Sequence, residues 1–69
     1  MPYDSILDLP PALRRRLPAH AREIYRQAFN HAWDGYADRL DREAVAHRVA
    51  WAAVKRLYRK AGGVWVPRR

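Results

Sequence analysis

Cysteine is absent. That excludes disulfides and thiolate metal sites and fits a reducing compartment. Glycine is scarce: Gly35, Gly62 and Gly63 are the whole supply. No glycine-rich loop is available to cradle a phosphate. Ser5 is the only serine and has no base near it in sequence. No run approaches the roughly 18 apolar residues of a membrane span. The first segment carries Asp4 and Asp8 where a secretory leader would be basic and then apolar. A soluble, cytoplasmic protein is expected. Acidic residues are missing altogether from Arg48 onward.

That last absence organises the charge. The net charge of +7 comes from 14 Lys and Arg against 7 Asp and Glu. Seven basic and seven acidic residues balance up to His47; Arg48, Lys55, Arg56, Arg59, Lys60, Arg68 and Arg69 follow with nothing to offset them. A field of this kind favours an anionic partner: nucleic acid, an acidic protein surface or an anionic membrane. The histidines His20, His31 and His47 contain no pair four residues apart, so no metal site is expected. A chain of 69 residues has little volume for a water-excluding pocket. No catalytic residue, cofactor or small-molecule substrate is expected, and the protein is read as a non-enzyme.

The chain reads as one small domain over residues 1–69, of a size at which a fold is marginal without good packing. Leu9, Leu13 and Leu17 recur every four residues and predict a short helix from about Pro10 to Leu17, with Asp8 as its cap. Arg14, Arg15 and Arg16 fall mostly off that stripe and read as a solvated face. A second helix is predicted from Ala19 to about Asp38. Ile24, Ala28, Ala32 and Tyr36 form one row and Tyr25, Phe29, Trp33 and Ala37 its neighbour, a broad apolar stripe. Gly35 there marks either fraying or close packing. After "ADRLDREA", with Asp41 as cap and Glu43 in the first turn, a third helix is predicted to about Lys60, stopped by Gly62 and Gly63. The tail "VWV" is β-prone, and its expected partner is the other irregular end, Pro2 to Asp4.

On the third helix Ala46, Val49, Ala50, Ala53, Val54 and Leu57 share one side of the wheel. Small residues there let the rings of the second helix come close. Burial of Phe29, Trp33 or Leu57 would contribute about 1.5–3 kcal/mol each. Arg48, Lys55 and Arg59 gather opposite, with Arg56 close by. Two readings stay open for that side: a row of phosphate contacts, or a face shown only to water. Trp51, Tyr58 and His47 lie on the flank between. Rings there either stack on exposed bases or belong to the core and cover the first helix or the terminal strands.

These residues also carry a family resemblance. "MPY", "DLP" at Asp8–Pro10, "LP" with His20, Ile24-Tyr25, Ala28-Phe29-Asn30, Ala32-Trp33, Tyr36, "AHRVAWAAVK" at Ala46–Lys55, Tyr58 and a tryptophan near the end resemble the ChaB family over nearly the whole chain. The resemblance implies three helices and a small sheet. It implies a role in regulating a sodium or calcium/proton antiporter; other ChaB-like domains are described as DNA binders. Antiporter-associated members have a longer, charged loop between the second and third helices, and here that loop is only "ADRLDREA". Calcium takes about six to eight oxygen ligands, so Asp38, Asp41 and Glu43, interleaved with Arg39 and Arg42, weigh against cation sensing.

The fold expected is therefore mainly α: a short helix, then two longer packed helices, with a minimal two-stranded sheet joining the N- and C-termini. The leading functional expectation is nucleic-acid binding through Arg48, Lys55, Arg56, Arg59, Lys60, Arg68 and Arg69. The alternative is regulation of a membrane cation/proton antiporter through contact with an acidic protein surface, such as a cytoplasmic loop of the transporter.

Overall fold

The structure, a computed structural model, describes residues 3–68. A 3-10 turn at Ile6–Asp8 leads into α1 (Pro11–Arg16), α2 (Ala19–Gly35), α3 (Arg42–Leu57), β1 (Tyr58–Ala61) and β2 (Val64–Pro67). The long helices α2 and α3 pack side by side. Three helices and a two-stranded antiparallel sheet match the expected class.

The apolar stripe of α2 is centred on Ala21, Tyr25, Phe29 and Ala32, all buried, with Ile24, Ala28 and Trp33 half-buried beside it. Facing it, α3 buries Ala46, Ala50 and Val54. Ala46 and Ala50 are wholly buried there, and the Tyr25 and Phe29 rings fill the core beside them. Leu9 and Leu17, from either side of α1, belong to the same buried core. Tyr36 and Ala37 are exposed, because α2 ends at Gly35 and not at Asp38. A Cβ built on Gly35 meets nothing within 4 Å, so that glycine marks the helix end and not a close approach. The start of α1 is set by Pro10 and Pro11, and Asp8 belongs to the preceding turn instead of capping the helix.

Three expectations about the C-terminal third are corrected. α3 stops at Leu57, not near Lys60, and Tyr58 is extended at φ −131° and ψ 155°. Gly62 and Gly63 do not end a helix. With φ of 57° and 84° they form the two-residue turn of a hairpin, the primed geometry that needs two positive φ values in succession. The sheet therefore joins β1 to β2, pairing Tyr58 with Pro67, Arg59 with Val66, Lys60 with Trp65 and Ala61 with Val64. It does not join the two termini.

The reason lies at both ends. The glycine pair accepts the two positive φ values without steric cost, and a turn of two residues keeps hairpin closure local. Tyr3, meanwhile, has its backbone taken by a side chain: its N–H donates to Asn30 Oδ1 (2.8 Å) and its carbonyl accepts from Asn30 Nδ2 (2.7 Å). Asn30 thus supplies the donor–acceptor pair that a strand would have offered. The Tyr3 ring packs on Phe29 with centroids 4.9 Å apart. Tyr3 and Asp4 are not in a strand, and Pro2 lies outside the described residues.

Leu57 is likewise corrected. It is 54% exposed, because the backbone leaves the helix at the next residue. Tyr58 fills the core position and is buried, with its hydroxyl 3.1 Å from His20 Nδ1 at the start of α2.

Two arginines finish the long helices. Arg42 Nε donates to the Trp33 carbonyl (2.6 Å), and its guanidinium lies 4.1 Å from the centroid of the Trp33 ring. Arg68 Nε donates to the Lys55 carbonyl (2.6 Å) and its backbone N–H to the Leu57 carbonyl (2.8 Å). These carbonyls belong to the last turns, where no intrahelical donor remains and a cation suits the dipole. Asp41 is the residue before α3 as expected, but its side chain caps nothing. It accepts from Arg39 at 2.9 and 3.0 Å instead, and this partner, with a smaller contribution from Arg48, holds the Asp41 carboxyl below its ordinary range.

Candidate interaction surface on the third helix and hairpin

The cations singled out in the sequence fall on different elements. Arg48, Lys55 and Arg56 are exposed on α3, Arg59 and Lys60 on β1, and Arg68 follows β2; Arg69 lies outside the described residues. Among the described residues the ion pairs are Arg26–Glu23 and Arg39–Asp41, and His47 lies 3.9 Å from Glu43. None of them uses a cation from Arg48 onward. Among the described residues the basic side of α3 therefore has no ion-pair partner.

These cations are not brought into one row. Arg59 and Lys60 are successive strand residues and point to opposite faces. Lys60 shares a face with its cross-strand neighbour Trp65, whereas Arg59 shares one with Val66. Arg59 and Arg68 line a shallow concavity with Ala61, Val66 and Pro67. Arg56 borders another hollow with Ile24, Ala53 and Leu57. Arg48 and Lys55 line a third together with Ala52, Trp51 and His47. Arg68 has the structural task already described, so its Nε is engaged at the end of α3.

The aromatic flank belongs chiefly to the core. Trp51 is half-buried. It meets Tyr25 edge-on at 5.3 Å and stacks obliquely on Trp65 at 5.6 Å. This tryptophan pair helps fasten the hairpin to α3, along with buried Tyr58 and the Arg68 hydrogen bonds to the end of the helix. His47 lies edge-on to Phe29 at 4.8 Å and shares a hydrogen bond through Nδ1 with the Tyr25 hydroxyl. Its Nε2 faces Glu43 Oε2 at 3.9 Å, which favours the proton on Nε2 and makes Tyr25 the donor to Nδ1. Burial raises the Tyr25 hydroxyl's pKa well above the usual phenol range, so the phenol keeps its proton at any ordinary pH.

Asn30 was missed from sequence as a structural residue. Its only signal is a carboxamide just off the apolar stripe, opposite a terminal segment with no strand partner. Among the described residues no group of three or more His, Asp or Glu side chains is arranged to hold a metal ion. No described helix is long and apolar enough to cross a membrane.

The family model of ChaB matches residues 9–68. The chain belongs to the ChaB family. The protein of Escherichia coli K12 named "Putative cation transport regulator ChaB" is 52% identical over 66 residues, 87% of either chain. The protein of the same name from Shigella flexneri matches to the same extent. A solution NMR structure of a protein with that name superposes with a TM-score of 0.85 at 47% identity, covering 99% of this chain and 100% of the other. The helices and the sheet described above are therefore the ChaB fold. The names of these relatives concern cation transport, and none refers to nucleic acid.

Proposed function

We propose that this ChaB protein is a non-enzymatic regulatory module that acts at the cytoplasmic face of a membrane cation/proton antiporter by docking on an acidic segment of it. The observation that supports this reading is the dispersal of cations that form no ion pair among the described residues over separate hollows, each lined partly by apolar residues. Duplex phosphates recur about every 3.4 Å of axis per strand and are suited by a continuous track of donors. A protein surface offers carboxylates among apolar side chains, which is what such hollows complement. The names of the relatives, which concern cation transport, support the same direction.

Nucleic acid is the competing partner, and the net charge of +7 is what favours it. Both are tested with one titration series. Synthetic peptides spanning the cytoplasmic loops of a cation/proton antiporter, duplex DNA, single-stranded DNA and RNA are titrated at increasing salt. The expected result is saturable binding of an acidic loop, lost in the triple variant Arg48→Glu, Lys55→Glu, Arg59→Glu while the circular dichroism spectrum stays the same. Tighter binding of duplex DNA, with log K falling against log salt at about −0.9 per phosphate, overturns the proposal.

A further inference from the structure

The hollow beside Trp51 is the most specific of the three. Its five lining residues come from consecutive turns of α3. Arg48 and Lys55 stand seven residues apart on one side of the helix, about 10.5 Å of rise. Neither enters an ion pair among the described residues. Between them the surface is apolar: the Ala52 methyl, which is exposed, and the Trp51 indole, held by Trp65 and Tyr25. A methyl at this point lets a second backbone approach closely, and a pinned ring provides a firm wall at no further cost in side-chain entropy.

From this arrangement we infer that the Arg48–Lys55 groove of α3 is the docking site for an acidic amphipathic helix, one carrying two carboxylates a heptad apart with an aliphatic residue midway. The inference rests on the regulatory reading above and names the partner's shape. A helix laid along α3 repeats its facing side chains at residues i and i+7, also about 10.5 Å apart, so both carboxylates reach their cations together. An extended peptide places same-face residues at about 6.6 and 13 Å, and neither spacing fits. The midway aliphatic residue descends onto Ala52 against the Trp51 ring. The charge pairs set orientation and register, and the apolar contact excludes water from between them.

The test uses the full chain and defined peptides, followed by nuclear magnetic resonance through the backbone amide of Ala52 and the indole N–H of Trp51. The first probe is an alanine-based helical peptide with two glutamates a heptad apart and a leucine midway. The second has the same composition with the glutamates moved to opposite faces. The first should shift both signals saturably and bind at least tenfold more tightly than the second. Ala52→Trp, a change at an exposed helical position, should abolish that difference, as should Arg48→Glu with Lys55→Glu. Equal binding of the two peptides, an Ala52→Trp variant that binds as the parent does, or displacement of the peptide by duplex DNA at equal concentration would overturn the inference. The two proposals fail separately. Antiporter loops that bind but perturb only the Arg59–Arg68 hollow remove the groove and leave regulation standing. A groove that selects the heptad peptide while no antiporter loop binds does the reverse.

Discussion

At one end of the described chain, Tyr3 gives its N–H and carbonyl to a side chain, Asn30, on α2. At the other, Tyr58–Ala61 and Val64–Pro67 satisfy each other across the Gly62–Gly63 turn. Both segments are extended or irregular, and each lies against the helix pair through an aromatic ring: Tyr3 on Phe29, Trp65 on Trp51. The difference is one of range. The hairpin closes over a turn of two residues, so its loop entropy is small. Tyr3 and Asn30 are 27 residues apart, and that contact requires the terminal segment to lie against α2. One end is organised by local backbone chemistry and the other by the tertiary fold.

The largest way to break this comparison is Asn30→Ala. It removes both Asn30 hydrogen bonds to Tyr3, each worth about 1 kcal/mol, and leaves the Tyr3 carbonyl only its longer bond from Arg26. A loss of about 2 kcal/mol, or roughly 10 °C in Tm, is expected by thermal denaturation. Amide exchange should rise around Tyr3 and stay unchanged in the hairpin. Parallel increases at both ends would mean that the ends are coupled. The converse variant is Gly62→Val, which puts a β-branched residue at φ 57° and costs about 1–2 kcal/mol. Its effect should be confined to the other end: the Trp51–Trp65 contact loosens, read by tryptophan fluorescence, while helical circular dichroism is kept.

The same contrast explains what could be read in the sequence. The core row Tyr25–Phe29 and the small side Ala46, Ala50, Val54 were legible, because helical period and residue size are local properties. The stretch Tyr58–Ala61 was not. "YRKA" continues the basic, helix-compatible pattern of α3, and only the primed turn of Gly62–Gly63 distinguishes a hairpin arm from a last helical turn. The alternation Tyr58-in, Arg59-out was hidden for the same reason, and with it the separation of Arg59 from Lys60. For the candidate site, the charge of the C-terminal third was legible. Its division into hollows depends on where the backbone turns at Leu57 and on Arg68 folding back to the Lys55 carbonyl. That return contact spans 13 residues and has no periodic signal.

The smallest effect sharpens the comparison through pH. Glu23 accepts from Arg26 Nε at 3.0 Å and from Gln27 at 2.8 Å, and these bonds, Arg26 first, hold its pKa at about 2 against an ordinary 4.5. Arg26 also donates to the Tyr3 carbonyl at 3.3 Å, so this pair supports the N-terminal contact. A carboxyl depressed on folding stabilises the native state fully above its unfolded value and loses that contribution as pH falls through its folded one. Tyr3 amide protection should therefore decline as pH is lowered from about 4.5 to about 2, and Glu23→Gln should flatten the decline. The pair is exposed, so the amplitude is small and shrinks further in high salt. The hairpin contains no carboxylate side chain between Tyr58 and Pro67, and its amides should hold steady over the same range. A hairpin that loosens in step with Tyr3 would show that acid acts on the helix pair itself, and the two ends would then owe their order to one source.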